Sequence, residues 1–329
     1  ESSAEFYRHA HKFCNGGVQD ERIVALRKAA MSEGTDSTGG VFVPTQFAGE
    51  VYEAAMENAI VRPRAIILPM GSDSIDVPVL VDGTRATNIF GGVTLTHVGE
   101  GGDQYATNGG PAIGRLKLTA NKFIASCFVS NELAADAQAF GPFMNQAFGR
   151  AVAFLEDDLF INSGTGSGQP LSVLNSNALI SVTRGELTLI GDADIAGMAA
   201  RLAPGCWQNA AWLINQSVLG SLTDIEMADL ASMQILGRPI IVTEHCAAAG
   251  TIGDILLCDF SQYLIGDRSL IISSSREATY SSNTYGFLQD QTCWKLTLRV
   301  DGQPIVSAPY TPKRGGSTVS PFIALTTAS

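Results

Sequence analysis

A glycine-rich stretch between two alternating segments places the strongest constraint on how this 329-residue chain folds. Residues 75 to 79 alternate apolar and polar side chains, as a half-buried strand does. Residues 115 to 130 alternate in the same way, with Leu116 and Leu118 on one face. Residues 82 to 114 lie between them and carry few large apolar side chains for a core of their own. The pattern predicts a long hairpin that is marginal in water by itself and therefore lies on another surface, such as a neighbouring subunit.

The chain before the hairpin reads as an arm followed by a helix. Residues 1 to 40 are polar and mixed, with one short helix predicted from Glu21 to Met31. The run Thr38-Gly39-Gly40-Val41-Phe42-Val43-Pro44 follows, and its two glycines and proline favour a tight turn ahead of a helix start. Apolar spacing then predicts a helix from Thr45 to Asn58, which ends before Pro63 because the residue before proline avoids helical angles.

The longest helix is predicted from Pro142 to Phe160, where apolar residues mark one face. The run Gly164-Thr165-Gly166-Ser167-Gly168-Gln169-Pro170 ends it. A phosphate loop needs a lysine followed by Ser or Thr, and it precedes a helix. This run has neither feature, so we interpret it as a helix stop and a turn.

Residues 177 to 272 alternate between helical and strand patterns, which is typical of an α/β block. A helix is predicted around Ile195 to Leu202, and a second from Val218 to Ile225 with Ser217 as its cap. Three buried strands are predicted, at residues 212–214, 239–242 and 255–258. Residues 270 to 310 are rich in strands, with a turn expected at Asp301-Gly302, and Lys313 to Ser329 reads as a polar loop followed by an apolar tail.

Composition limits the kinds of partner. Apolar residues make up 45% of the chain and charged residues only 16%, where about 25% charged is usual. Little charge is left for a free surface, which favours a surface covered by partners. The net charge of -11 argues against a basic face for nucleic acid, because phosphate contacts need clustered Lys and Arg. No apolar run approaches the ~20 residues of a membrane span, so no membrane partner is expected.

The cysteines give no sign of a metal site or a disulfide framework. They are scattered and have no C-x-x-C spacing. We interpret them as small buried hydrophobic residues of a protein from a reducing compartment. The six are Cys14, Cys127, Cys206, Cys246, Cys258 and Cys293.

Acidic residues and histidines do not form a catalytic pattern. Glu156, Asp157 and Asp158 lie near the C-terminal end of the predicted helix, where the helix dipole disfavours acids, and we expect them on a solvated or inter-subunit face. His245 adjoins Cys246 in a loop, where neighbouring side chains rarely face each other. No G-x-S-x-G motif occurs. We therefore predict no catalytic residues, no metal site, no cofactor and no enzyme activity.

Several short blocks follow one another in a specific order. They are Gly39–Pro44 with a helix ending at Val61-Arg62, Leu118–Phe123 followed by Val129–Leu133, Phe154–Leu174, Trp212–Asn215, Leu236–Ile240, Asp259–Arg268 and Arg299–Pro304. In this order they resemble the major capsid proteins of tailed double-stranded DNA phages, which have the Hong Kong 97-type fold. Each block is a weak signal, but the order is specific. The resemblance covers roughly residues 38 to 310.

The resemblance implies an α+β fold with an arm, an extended hairpin loop, a peripheral domain containing a long spine helix, and an axial α/β domain. The expected parts are the N-terminal arm at 1–40, the peripheral domain at 41–71, 131–176 and 273–312, the extended loop at 72–130, the axial domain at 177–272, and a C-terminal tail toward the axial domain at 313–329. The implied function is structural. Hexamers and pentamers form an icosahedral shell around packaged double-stranded DNA, without sequence-specific binding.

The family also implies contacts between subunits. One of the acids at 156–158 is expected to pair with an arginine of a neighbour, for which Arg85 and Arg115 in the hairpin are the candidates. The expected inter-subunit residues are Arg85, Phe90, His97, Arg115, Glu156, Asp157 and Asp158. Further partners implied are a portal, a scaffold or protease, and a decoration protein. The implied location is the virion capsid, assembled in the host cell cytoplasm.

Two departures from the family pattern lead to expectations. Some members join subunits by a Lys–Asn isopeptide bond from a lysine in the extended loop, but residues 78 to 115 contain no lysine, so no such cross-link is expected. The chain begins at Glu1 without Met, and we expect it to be cut from a longer precursor. Three alternatives remain: an encapsulin-type nanocompartment, a gene-transfer particle, and a soluble α/β enzyme, which would need a convergent polar site.

Overall fold

The computed structural model describes residues 41–42, 59–81, 83–85, 97, 100, 112–132, 140–186, 189–276, 279–281, 284–285 and 290–327. The helices predicted at residues 21–31 and 45–58 lie outside them, as does most of the glycine-rich stretch. By its internal contacts the chain divides into two units. The first unit comprises Glu1–Ile60, Lys122–Glu156 and Arg268–Val300, and the second comprises Val61–Asn121, Asp157–Asp267 and Asp301–Ser329.

The predicted hairpin forms in the second unit. Strands β3 (Ser74–Leu80) and β4 (Ile113–Thr119) pair antiparallel over their full length, from Ser74 opposite Thr119 to Leu80 opposite Ile113. One face of the pair carries Leu116 and Leu118, which pack with Met70 and Leu264 in a small core. The alternation predicted through residue 130 is interrupted at Ala120, whose N–H donates to the carbonyl oxygen of Asp73 at 2.8 Å. A separate strand, β5 (Asn121–Ser130), begins there.

A second sheet has the strand order β1-β12-β15-β5. In it, β15 (Gln291–Pro304) lies between β12 (Tyr263–Ser275) and β5. Strand β1 (Val41–Phe42) pairs antiparallel with β12 at Ser273 and Ser274. A small hairpin is formed by β13 (Thr279–Ser281) and β14 (Thr284–Tyr285). In the second unit, β2 (Ile66–Pro69) pairs in parallel with the start of β12.

The turn expected at Asp301-Gly302 is wrong, because both residues lie within β15. The Asp301 carboxylate accepts hydrogen bonds from the N–H groups of Thr119 at 2.6 Å and of Gly302 at 2.9 Å. A side chain at Gly302 would lie 2.8 to 2.9 Å from the Tyr263 and Phe160 rings. Glycine at this position therefore permits aromatic rings to lie close to an extended strand. The dipeptide Asp-Gly is also common in turns, but here it lies in a strand.

The predicted long helix is confirmed as α1 (Phe140–Asp158). It continues into one turn of π-helix, Leu159–Ser163, and ends at Gly164. A Cβ atom at Gly164 would lie 2.2 Å from the carbonyl oxygen of Leu159, so the chain can turn here only without a side chain. Gly166 and Gly168 follow with positive φ angles of 76° and 68°. The glycine run is therefore a helix stop and a turn, as predicted.

The core of the second unit is a mixed seven-stranded sheet in the order β6-β16-β11-β7-β10-β9-β8. The predicted strands are confirmed as β7 (Ala211–Ile214), β10 (Arg238–Val242) and β11 (Ile255–Cys258). Trp212 is fully buried in β7, and its indole N–H donates to the carbonyl oxygen of Ile235 at 3.1 Å. The edge strands are β6 (Ile180–Thr183) and β8 (Ala228–Asp229), and β9 (Gln234–Ile235) lies between β10 and β8.

Helix α2 (Asp192–Arg201) confirms the first helix predicted in this block. The second, over Val218 to Ile225, is wrong: two short 3₁₀ turns, Gln216–Val218 and Ser221–Asp224, lie there. Ser217 is not the cap. The Asn215 side chain accepts a hydrogen bond from the Ser217 N–H at 2.9 Å and so begins the first turn. Such a local hydrogen bond from an Asn side chain competes with α-helical backbone pairing and favours a turn.

The apolar tail of the chain forms β16 (Phe322–Thr326), which pairs antiparallel with β11 and parallel with β6. Phe322, Ile323, Ala324 and Leu325 are all fully buried. The polar loop before it is held by Arg201, whose Nε–H donates to the carbonyl oxygen of Thr318 at 2.7 Å. The tail is thus an interior strand of the sheet.

Candidate assembly surfaces

The outer hairpin face is the row of side chains on β3 and β4 that points away from the small core. All eight are exposed: Ser74, Asp76, Pro78, Leu80, Ile113, Arg115, Lys117 and Thr119. Leu80 and Ile113 are directly opposite each other and are 54% and 62% exposed. Two large apolar side chains side by side in water are unfavourable, so this end of the face is suited to contact with another protein.

Arg115 lies in the same row. Its nearest acidic partner is Asp76, with the Arg115 Nη1 atom 3.3 Å from the Asp76 Oδ2 atom. The Arg115 side chain is 76% exposed, and water screens a pair of this kind so strongly that it contributes little. The guanidinium is therefore available to a second carboxylate.

The structure places the other predicted hairpin residues differently. The Arg85 guanidinium lies 3.9 Å from the centre of the Tyr310 ring, and the Arg85 backbone N–H donates to the carbonyl oxygen of Thr311 at 2.9 Å. Both contacts lie within the second unit and hold Arg85 to its own subunit. His97 is exposed. Phe90 lies outside the described residues.

The acidic run at the end of α1 divides into buried and accessible residues. The solvated face expected for it is wrong for Glu156 and Asp157, which are 1% and 2% exposed. Asp157 accepts a hydrogen bond from the N–H of Val61 at 3.0 Å. Asp158 is accessible: its side chain is 39% exposed, and its Oδ2 atom accepts a hydrogen bond from the Ser163 hydroxyl at 2.6 Å. Only Asp158 can therefore meet another subunit.

A cavity of about 450 Å³ opens beside Asp158, in the second unit. It lies where the parallel strands β7 and β10 end, an edge at which α/β sheets commonly bind ligands. Its lining residues are Asn215, Gln216, Val242, Thr243, Glu244 and His245. The His245 Nδ1 atom lies 3.9 Å from the Asp158 Oδ1 atom, and the Asn162 amide donates to the carbonyl oxygen of His245 at 3.3 Å. No local sequence pattern signals this cavity, because its lining comes from two segments that are distant in the chain, 215–216 and 242–245.

The edge hairpin is the segment of β8 and β9 at one side of the seven-stranded sheet. Met227, Met233 and Leu236 are exposed on it. Met233 and Leu236 have positive φ angles of 51° and 50°, a conformation that is unfavourable for a bulky residue. Strained backbone persists where the surroundings require it and is common at binding segments, so we consider the edge hairpin a second candidate surface.

Helix α1 carries exposed apolar side chains opposite its buried face. Phe143 and Phe154 are exposed, while Met144, Phe148 and Val152 are buried. The spacing of the exposed pair places both on one side of the helix. This side is the third candidate surface, and it lies in the first unit.

The described residues show no arrangement suited to catalysis. Within them, no group of three or more His, Cys, Asp and Glu side chains could hold a metal ion. Burial raises the pKa of the Cys206 and Cys246 thiols to about 12, so neither is a nucleophile near neutral pH. Among the helices that the structure describes, none is long and apolar enough to cross a membrane.

The cysteines are only partly as expected. Cys206, Cys246 and Cys258 are buried, which fits small hydrophobic residues. Cys127 and Cys293 are only half-buried. Burial is still the main cause of the raised pKa of Cys127, which is about 11, and Cys293 adds to it. Cys14 lies outside the described residues.

Comparison with known proteins gives a consistent result. A family model described as the phage capsid family matches residues 39–312. The capsid of an empty GTA particle is similar in structure, with a TM-score of 0.61 and 16% identity over 95% of this chain and 100% of that chain. For the capsid of a native GTA particle the TM-score is 0.60, with 17% identity over the same shares. A structure from Mycobacterium phage Adephagia has a TM-score of 0.57, with 15% identity over 83% of this chain and 91% of that chain.

No curated protein sequence matches the chain. At these identities the solved structures show the fold alone, which is a capsid-like fold of mixed sheets. The family model carries the remaining weight, because it spans most of the length of the chain.

Proposed function

The chain belongs to the phage capsid family and is a structural shell protein, and we propose that its copies assemble as hexamers and pentamers into an icosahedral shell around packaged double-stranded DNA. The observation that supports this best is the outer hairpin face. Leu80 and Ile113 are opposite each other and mostly exposed, at the end of the hairpin farthest from its small core. Burying such a pair against another copy releases water from apolar surface, which favours association.

The proposed architecture is the Hong Kong 97-type fold. Residues 1–40 are the arm, 72–130 the extended loop, 41–71, 131–176 and 273–312 the peripheral domain, 177–272 the axial domain, and 313–329 a tail toward the axial domain. Helix α1 is the spine helix in this proposal. The edge hairpin then belongs to the axial domain, and its exposed methionines and Leu236 are suited to contacts around the symmetry axes.

Burial within the subunit reduces the set of residues that we propose to contact another subunit. Glu156 and Asp157 are enclosed by their own subunit and drop out. Arg115 and Asp158 remain as opposite charges that are both accessible. Arg85, Phe90 and His97 stay in the proposal as residues of the extended loop. Arg85 would make such a contact through the part of its side chain that the Tyr310 ring does not cover.

The proposed partners follow from the shell function. A portal, a scaffold or protease, and a decoration protein are expected at a shell of this family, and DNA is held without sequence-specific contacts. The net charge of -11 supports the last point, because an acidic subunit gives few phosphate contacts. We propose assembly in the host cytoplasm and a final location in the virion capsid. No catalytic activity is expected.

A gene-transfer particle is the second candidate. It is favoured by the similarity to the capsids of GTA particles, which covers 95% of this chain. Such a particle and a virus differ in what they package rather than in the fold of the subunit. An encapsulin-type nanocompartment, which would enclose protein cargo, is the third.

Negative-stain microscopy of the purified protein, together with size-exclusion chromatography, tests the proposal. We expect closed angular shells, or rings of five and six subunits. Nucleic acid extracted from the shells then separates the candidates: one defined genome indicates a virus, mixed host fragments indicate a gene-transfer particle, and protein cargo indicates a nanocompartment. A monomer at every salt and protein concentration would contradict assembly.

A further inference from the structure

The cavity beside Asp158 has the character of a receptor for one long basic side chain. Its volume of about 450 Å³ lies in the lower part of the range for ligand sites, which is about 300–1,000 Å³. A single side chain with some water fills a space of this size, whereas a large cofactor does not. The walls are polar except at Val242, which is partly exposed.

The charges at the cavity are acidic. Glu244 lines it and is exposed, and within the described part of the chain no ion pair joins its carboxylate. The Asp158 carboxylate is next to His245 on the same wall. The Glu244 carboxylate on the lining and the Asp158 carboxylate, which is 3.9 Å from the lining residue His245, attract a cation. The apolar surface of Val242 suits the methylene stem that precedes a guanidinium or ammonium group.

The Asn215 amide and the Thr243 hydroxyl at the cavity are already hydrogen-bonded within the fold, so the charged groups contribute most to the choice of ligand. The Asn215 side chain donates to the carbonyl oxygen of Cys246 at 2.7 Å and accepts from Ser217. The Thr243 hydroxyl accepts a hydrogen bond from the N–H of His245 at 3.2 Å. These bonds hold the rim in place, so a side chain that enters meets a preformed site and orders little of the protein.

We propose that this cavity receives the guanidinium of Arg115 from a second copy of the chain, with Glu244 and Asp158 as its carboxylate partners. The proposal rests on the proposed shell function, which supplies a neighbouring copy at every subunit. Arg115 is the best donor among the hairpin arginines because it is 76% exposed and has only the screened contact with Asp76. Arg85 is held against Tyr310 in its own subunit. A planar guanidinium can bond two carboxylates at once, which a lysine ammonium does with less directional preference.

Charge reversal at Glu244 and Arg115 tests the inference in the full chain. Glu244→Arg and Arg115→Glu are expected each to raise the protein concentration for half-maximal shell formation about tenfold, the size of effect that follows from losing one partner of an interface ion pair. The double variant Glu244→Arg/Arg115→Glu is expected to return the concentration to near that of the unchanged protein. Light scattering follows shell formation, and sedimentation gives the product size.

Glu186→Arg is the matched control for Glu244→Arg, because both reverse one exposed carboxylate of the second unit and only Glu244 lines the cavity. Circular dichroism of each variant checks that the subunit is folded. Shell formation unchanged in both reversal variants would overturn the inference, and so would impaired single variants that the double variant fails to restore. In either case the unchanged protein still forms shells, so the proposed function stands. If the unchanged protein forms no shells at all, the proposed function fails first.

Discussion

At the scale of single residues, the stability of the second unit depends on two kinds of position. One is a glycine whose surroundings leave no room for a side chain, and the other is a buried charge that is paired with one opposite charge. Gly302 is the clearest case, because it lies in a regular strand and touches the rings of Tyr263 and Phe160. The two rings are 5.4 Å apart between their centres, and the Tyr263 hydroxyl donates to the carbonyl oxygen of Leu171 at 2.7 Å. The Tyr263 ring is thus restrained by the Phe160 ring and by its own hydrogen bond, so it cannot easily move away from a methyl group added at position 302.

Gly302→Ala is therefore expected to destabilise the subunit by about 1–3 kcal/mol, the usual cost of overpacking a core. The measurement is the free energy of unfolding from guanidinium titration. Gly205→Ala is the control, because a Cβ atom there meets nothing within 4 Å. Equal stability of the two variants would show that the Tyr263 ring shifts without cost.

Arg184 and Asp254 form an ion pair whose side chains are both fully buried. Asp254 also accepts hydrogen bonds from the N–H groups of Gly250 and Ile255, each at 2.8 Å. Removal of Arg184 thus leaves a carboxylate with two backbone donors. Removal of Asp254 leaves a buried guanidinium without its counter-charge and frees those two donors.

We predict that Asp254→Ala destabilises the subunit by about 3–5 kcal/mol, the range for breaking a buried pair. Arg184→Met is expected to cost clearly less, because the methionine keeps most of the apolar stem. Thermal unfolding midpoints of the two variants, measured at the same pH and protein concentration, give the comparison. The reverse order of stability would contradict the role assigned to the backbone donors.

At the scale of elements, the hairpin of β3 and β4 has two faces with different purposes. The inner face packs Val77, Leu116 and Leu118 into the small core of the second unit. The outer hairpin face ends in Leu80 and Ile113, which are exposed. A hairpin that is apolar on both faces at one end is typical of an element that packs on its own subunit with one face and on another protein with the other.

The double variant Leu80→Ser/Ile113→Ser is expected to leave the free energy of unfolding of the subunit within about 0.5 kcal/mol, as for other surface changes. It is expected to reduce the yield of shells, because apolar surface that would be buried between copies is lost. Val77→Ser is the matched control on the inner face. It should lower subunit stability before it affects assembly. Unfolding titration and negative-stain particle counts separate the two effects.

At the scale of the whole molecule, low charge content and a length of 329 residues describe a chain that hides much of its surface in an assembly. The absence of lysine from residues 78 to 115 has a consequence at this scale. We therefore expect subunits without a lysine in this stretch to be held by non-covalent contacts, to which their exposed apolar residues and charges contribute.

We predict that purified shells run on reducing, denaturing gels as one band at the mass of a single chain. The physical reason is that residues 78 to 115, the part of the loop where family members carry the cross-linking lysine, contain no ε-amino group to attack an asparagine side chain. Mass spectrometry of the denatured protein checks for the loss of ammonia that such a bond would cause. A ladder of covalent oligomers after boiling in reductant would contradict the prediction.

Much of the fold was predictable where one element decides its own structure. The hairpin strands, α1, α2 and the strands β7, β10 and β11 were expected from periodicity, because a repeat of two or of 3.6 residues shows which side of an element is buried. The glycine run after α1 was correctly interpreted as a stop. The low charge content also predicts a surface covered by partners.

The failures share a cause. Asp301-Gly302 has the composition of a turn but lies in a strand, since its carboxylate is bound by a residue distant in sequence and its glycine faces two rings. Glu156 and Asp157 have the composition of a solvated helix end but are buried. Ser217 has the composition of a helix cap, yet the neighbouring Asn215 begins the turn. In each case the contacts that other residues make, near or distant in the chain, decide the outcome rather than the type of the residue itself.

The sequence by itself determined the family, the order of the elements and the structural role, because these depend on patterns that recur along the chain. Only the tertiary structure decided which charges reach the surface and where a cavity opens. Asp158 and His245 are 87 positions apart in the sequence, and only the fold brings the Asp158 carboxylate within 3.9 Å of this residue of the cavity lining. Burial is set by every element that packs around a residue, so the short-range pattern of one segment cannot contain it.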